Sequence, residues 1–76
     1  IRSVSPGYAF LWTKLSMPQR IALQYIARGD KLQDIDAFPM STVYSAVGRM
    51  KKDGLIVREE DYEFEDPFFG LWIRAL

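Results

Sequence analysis

The segment from Ser41 to Pro67, STVYSAVGRMKKDGLIVREEDYEFEDP, constrains the fold more than any other part of the chain. It opens on hydroxyl residues, and Ser41 or Thr42 is expected to cap a helix. Val43, Val47 and Met50 then recur at i, i+4 and i+7 with Ala46 beside them. That spacing gives one apolar face to a helix of about four turns. Gly54 supplies the stop. Leu55 to Glu59 and Tyr62 to Glu65 are rich in β-branched and aromatic residues and read as short strands. In the second strand Tyr62 and Phe64 share one face, and Glu63 and Glu65 the other. The turn between the strands is acidic.

Upstream, Ser5-Pro6-Gly7 is a turn signal. Tyr8, Phe10, Leu11, Trp12 and Leu15 are expected to line one side of a short helix, with Trp12 and Leu15 at i, i+3. Ser16-Met17-Pro18-Gln19 is a capping box with proline just inside the helix start. Ile21, Ala22, Tyr25 and Ile26 continue it as an apolar stripe, and Gly29 ends it, so a helix is predicted over 17–28. Lys31 to Ala37 is predicted as a short helix with Leu32 and Ile35 inward and Asp34 and Asp36 outward. Pro39 disfavours helix at Phe38. Downstream, Asp66-Pro67 is an N-cap followed by proline, which starts a last helix at Phe68. Phe68, Phe69, Trp72 and Leu76 are expected to form its apolar side.

Helix, short helix, helix, two-strand wing and final helix is the winged helix-turn-helix order. The fold class expected is mostly α (α+β), a three-helix core with an antiparallel β-hairpin wing and a C-terminal helix. The 76 residues make one small domain. Residues 1–15 are an N-terminal extension or helix, 16–66 the helix-turn-helix and wing, and 67–76 the last helix. The chain opens at Ile1, as expected of a processed protein or a fragment of a longer one.

Composition narrows the chemistry. There is no cysteine and no histidine, so neither a disulfide framework nor a Ser-His or Cys-His pair can form. The paired acids sit on a hairpin with no sign of a cleft, so no enzyme activity is expected. No metal or other cofactor is expected, because the acidic spacing matches no EF-hand loop. The lack of a signal peptide or long apolar run points to a cytoplasmic protein without a membrane span.

Net charge is zero but polarised. Arg2, Lys14, Arg20 and Arg28 give the first 29 residues +4, with no acid. Glu59, Glu60, Asp61, Glu63, Glu65 and Asp66 give residues 59–66 a charge of −6. A uniform nucleic-acid binder would carry a basic excess instead.

Two strings resemble a known family. LSMPQRIALQYIA with MSTVYSAVGRMKKDGLI resembles the winged helix that follows the P-loop domain in a group of archaeal and bacterial ATPases. YEFEDPFFGLWIR resembles the tail of those domains. The resemblance spans about residues 10–74 and implies a winged-helix module appended to an ATPase motor. The motor's own phosphate loop is absent: no G-x-x-x-x-G-K-[S/T] occurs among the five glycines.

The leading expectation is a winged-helix DNA-binding module appended to an ATPase, and protein docking is the alternative. In the first, the helix after Pro39 enters the major groove of double-stranded DNA with modest affinity. Ser41, Thr42, Tyr44, Ser45, Arg49 and Lys52 are then the contact residues, with Arg20 and Arg28 reaching phosphates beside the groove. In the second, Glu59, Glu60, Asp61 and Glu63 form a docking surface for a basic protein partner such as the parent ATPase domain, without DNA contact. Bland accounts stand beside both. Arg49, Lys51 and Lys52 suit any helix C-terminus, and an acidic hairpin edge resists aggregation. A continuous positive face around Arg49 and Lys52 favours DNA, and wing carboxylates intruding on it favour docking. The eleven aromatics are either core or a platform for stacking on bases.

Overall fold

Residues 6–76 are described by the computed structural model. Ser5 of the predicted turn and Arg2 of the basic stretch lie outside them. Pro6 and Gly7 open α1 (Pro6–Lys14). Tyr8, Leu11, Trp12 and Leu15 pack against the core as expected, whereas Phe10 is 63% exposed. Leu15 lies one residue beyond the helix, its N–H donating to the Trp12 carbonyl at 3.1 Å.

Helix α2 (Met17–Arg28) has the predicted bounds and both predicted caps. The Gln19 N–H donates to Ser16 Oγ at 3.3 Å, and the Ser16 N–H donates to Gln19 Oε1 at 2.8 Å. At the other end Gly29 takes φ +79°, a left-handed conformation that favours glycine. Its N–H reaches the Ile26 carbonyl, and the Asp30 N–H reaches Tyr25. This double bond pattern satisfies the last carbonyls of the helix. Ala22 and Leu23 are fully buried, while Ile21, Tyr25 and Ile26 are half-buried. The stripe is wider than its sequence spacing because α2 is the central helix, touching every other helical layer and the hairpin.

Next comes a single 3-10 turn, Leu32–Asp34, shorter than the helix predicted over Lys31 to Ala37. Leu32 and Ile35 are buried and Asp34 and Asp36 exposed, as predicted. Seven residues cut off by Pro39 cannot recover the cost of nucleating an α-helix, so the segment stops at one tight turn.

Helix α3 (Met40–Lys52) corrects another expectation. Neither Ser41 nor Thr42 is its cap. Pro39 is the cap residue, with φ −61° and ψ 151°, and no side chain bonds the first turn. The Pro39 carbonyl accepts from the Val43 N–H at 3.1 Å. Proline has its φ fixed and no N–H to leave unpaired, so the helix can begin directly after it. Val43, Val47 and Met50 are buried as predicted. Gly54, at φ +81°, turns the chain out, and the Leu55 N–H closes back on the Met50 carbonyl at 3.0 Å.

The hairpin pairs β1 (Ile56–Arg58) with β2 (Tyr62–Phe64), antiparallel, with Ile56 opposite Phe64 and Arg58 opposite Tyr62. Both strands are one or two residues shorter than predicted. Its tip is Glu59-Glu60-Asp61, closed by the Glu59 N–H on the Asp61 carbonyl at 3.2 Å. Helix α4 (Pro67–Arg74) has the predicted start, with Asp66 as its cap and Pro67 in its first turn, the Asp66 carboxylate accepting from the Phe68 N–H at 3.0 Å. Phe69, Gly70 and Ile73 are buried with Trp72 beside them, while Phe68 and Leu76 face outward. The expected apolar side is therefore rotated, and only Phe69 and Trp72 of the four predicted residues lie on it.

Leu23, Val43, Val47, Met50 and Ile56 form the fully buried centre. Aromatic rings seat α1 on α4: Tyr8 on Phe69 at 5.1 Å and Trp12 edge-on to Trp72 at 6.1 Å. Phe64 meets Phe69 edge-on at 6.0 Å. Such pairs add to area burial, so most of the aromatics are core. The whole is a mostly helical domain with a two-stranded hairpin before its last helix, consistent with a winged-helix-like arrangement.

Candidate functional site

The first surface is a polar groove of about 520 Å³ between the start of α2 and α3. Ser16, Gln19, Ser41, Thr42, Ser45 and Arg49 line it. The structure thus brings together four of the residues expected to meet DNA. They converge because i, i+3, i+7 spacing sets positions 42, 45 and 49 on one side of α3. Arg49 is not a free cation here, since its Nε lies 3.3 Å from Asp53 Oδ2, one helical turn on. Both groups are well exposed, so the pair is weak and readily exchanged. Lys52 is exposed on the last turn and does not line the groove.

The other expected contacts are elsewhere. Arg20 is half-buried, with Nε on the Trp12 carbonyl and an NH2 group on the Thr13 carbonyl, both at 3.0 Å. It also lies 5.8 Å from the Trp12 ring centroid. Arg20 therefore satisfies the last carbonyls of α1 and binds α1 to α2. Arg28 is exposed at the far end of α2.

Tyr44 belongs to a second surface. It lines a cleft of about 370 Å³ under the hairpin tip, together with Asp30, Lys31, Arg58, Glu60 and Asp61. Glu60 and Asp61 of the hairpin tip thus lie beside Tyr44 on one flank of α3, whereas no carboxylate lines the groove that holds Arg49. Arg58 packs over the Tyr62 ring at 5.1 Å, so the cleft wall already hosts one cation on an aromatic face. Glu59 and Glu63 are exposed on the hairpin outside this cleft. Among the described residues no cluster of carboxylates could hold a metal ion. No described helix is long and apolar enough to cross a membrane.

A third surface was not anticipated. Ile26 and Ala27 of α2, Phe64 of β2, and Gly70 and Leu71 of α4 line an apolar groove of about 330 Å³. Leu71 joins this groove to an i, i+3, i+7 stripe of Phe68, Leu71 and Ala75 on the outer side of α4. That stripe is masked by the stronger aromatic pattern that interleaves it. No protein-family model, curated protein or solved structure matches the chain.

Proposed function

We propose that this domain is a protein-docking module that takes a basic segment of its partner at the hairpin tip. One observation carries the reading: Glu60 and Asp61 share a cleft with Asp30 and the Tyr44 ring, and Lys31 and Arg58 in its wall offset only part of the acidic charge. Carboxylates beside an aromatic face suit an arginine or lysine side chain, through charge and through the ring quadrupole. The same carboxylates repel a phosphate backbone approaching α3 from that flank. The resemblance of the last third to an ATPase tail makes a basic face of a P-loop motor domain the first natural partner to try. The cysteine-free composition suits a cytosolic setting for such an assembly.

A 15N NMR titration with an oligo-arginine peptide tests the reading. Shifts are expected at Tyr44, Glu60, Asp61 and Tyr62, and they should vanish in the Glu60→Gln/Asp61→Asn variant. Saturable binding that survives this variant would remove the cleft from the account.

A second reading has its own support in the groove of Ser41, Thr42, Ser45 and Arg49, which runs along α3 from its first turn to its last. Duplex DNA of modest affinity is its ligand, bound by the helices without the wing. It predicts that Arg49→Ala weakens duplex binding, and that rising salt weakens it with a shallow slope. Absence of binding to mixed-sequence duplex at low salt rules this reading out.

A further inference from the structure

We infer that the outer face of α4 is a self-association surface, on which a second copy of this chain pairs antiparallel to the first. Phe68 is 69% exposed and Leu71 60% exposed. Ala75 is exposed on the same side. Their i, i+3, i+7 spacing puts all three on one stripe, opposite the side that buries Phe69 and Ile73. The stripe borders the apolar groove, to which Pro67 and Arg74 both contribute, so the groove runs the length of α4. The Phe64 ring closes over Gly70, so the open part of the groove lies toward Ala27, Leu71 and Arg74.

The occupant follows from the chain's own pattern. A two-fold axis near Leu71 sets Phe68 of one copy over Ala75 of the other, large against small, and brings the two Leu71 side chains together. The same antiparallel arrangement carries Arg74, in the last turn of one copy, toward the helix start of the other. Glu65 and Asp66 precede that start, and Glu63 lines the groove beside it. Opposite charges therefore meet twice across the axis, and the helix dipoles oppose. A chain of zero net charge that separates its acids from its bases is suited to such a contact. One short helix pair with its borders is at the low end of specific interfaces, so the dimer is weak and reversible, with a dissociation constant on the order of 100 µM. This surface adjoins the hairpin-tip cleft, sharing Ile26 and Tyr62 with it, but its test substitutes Leu71, Arg74 and Glu63 rather than Glu60 and Asp61, so either proposal can fail without the other.

Sedimentation equilibrium of the 76-residue chain from 10 µM to 1 mM, as an order-of-magnitude range set by that weak affinity, tests it. A monomer–dimer equilibrium is expected. Leu71→Arg, at an exposed position, should retain its circular dichroism and weaken the dimer by about a hundredfold. Should that variant fail to fold, the charge pair decides. Arg74→Glu and Glu63→Arg alone should each weaken it roughly fivefold, since symmetry counts each pair twice. The double swap in one chain should return it to within about threefold of the native value. A chain that stays monomeric at every concentration overturns the inference and leaves the stripe to a different protein. A dimer indifferent to Leu71→Arg, or a double swap that restores nothing, overturns it as well.

Discussion

The two ends of α2 support grooves of opposite character. At its first turn Ser16 and Gln19 meet Ser41, Thr42, Ser45 and Arg49 of α3. At its last turns Ile26 and Ala27 meet Gly70 and Leu71 of α4. Both grooves have small residues in them, Ala46 in one and Ala27 with Gly70 in the other. What differs is the neighbour. Helix α3 buries Val43, Val47 and Met50 and has polar residues left to show, so its outer side is a conventional amphipathic face. Helix α4 buries Phe69 and Ile73 and still has Phe68 and Leu71 left over. An eight-residue helix with apolar residues on both sides carries more than its own core requires. That surplus marks a surface meant to be covered.

The strongest way to test the comparison is to remove what the two grooves share. Leu23 is fully buried in the middle of α2. Leu23→Ala should cost about 2–5 kcal/mol, through lost burial and the cavity left behind. That is a large share of the stability of a small domain. Urea unfolding should fall cooperatively, with NMR signals from Ser45 and Leu71 lost together. Separate transitions would mean that the grooves belong to separate cooperative units.

Gly70→Ala acts on the apolar end alone. A Cβ at Gly70 would lie 2.9 Å from Phe64 Cδ1, closer than real contacts allow. Displacing that ring disturbs its edge-on contact with Phe69, at an expected cost of about 1–3 kcal/mol. Thermal unfolding reads the loss, and the Ser41 and Ser45 resonances should stay where they are. An unchanged melting temperature would show that Phe64 has room to turn aside.

Two smaller effects probe the polar end. Ser16→Ala removes half of the capping box and should cost about 1 kcal/mol. Gly48→Ala should instead stabilise by about 0.5–1 kcal/mol, because this exposed α3 position has open space around a new Cβ and ordinary helical φ. Denaturant midpoints at fixed slope measure both. A gain from Gly48→Ala with unchanged ligand titrations would leave the groove residues as the sole determinants of that face.

What the sequence reveals divides along the same line. Signals confined to a few residues were legible: the Ser16–Gln19 box, Gly29, Gly54 and the Asp66-Pro67 start. Each rests on backbone chemistry within one turn. Helix phase at the ends was not. Ser41 lies inside α3 because Pro39 takes the cap, and Phe68 faces outward because Phe69, one residue and about 100° further round the helix, takes the core position. Arg20 was legible only as a cation. Its carbonyl partners, Trp12 and Thr13, belong to a helix whose position is set by ring packing against α4. The candidate site inherits both limits. The hydroxyl side of α3 was readable from spacing, whereas the separation of Tyr44 from Arg49 required knowing where the hairpin tip folds back.

The smallest predicted effect concerns one contact at the apolar end. The Tyr8 hydroxyl donates to Asp66 Oδ2 at 2.6 Å, while Oδ1 of the same carboxylate caps α4. Tyr8 titrates above its ordinary value of 10.0, chiefly because that hydrogen bond holds the phenol proton. Desolvation and the carboxylate's charge act in the same direction. The folded chain therefore binds this proton more tightly than the unfolded one. The resulting stabilisation is fully present below pH 10 and is lost as pH rises through the folded-state value. Asp66→Asn keeps a capping oxygen but removes the charge, so the Tyr8 midpoint should move down toward 10.0. An NMR titration of the Tyr8 ring reads it directly. The start of α4 should loosen in the same alkaline range, while Ser16 and Gln19 at the other end of α2 show no linked change. A Tyr8 midpoint that Asp66→Asn leaves in place would mean that the carboxylate does not hold the proton, and that α1 is tied to α4 by its rings alone.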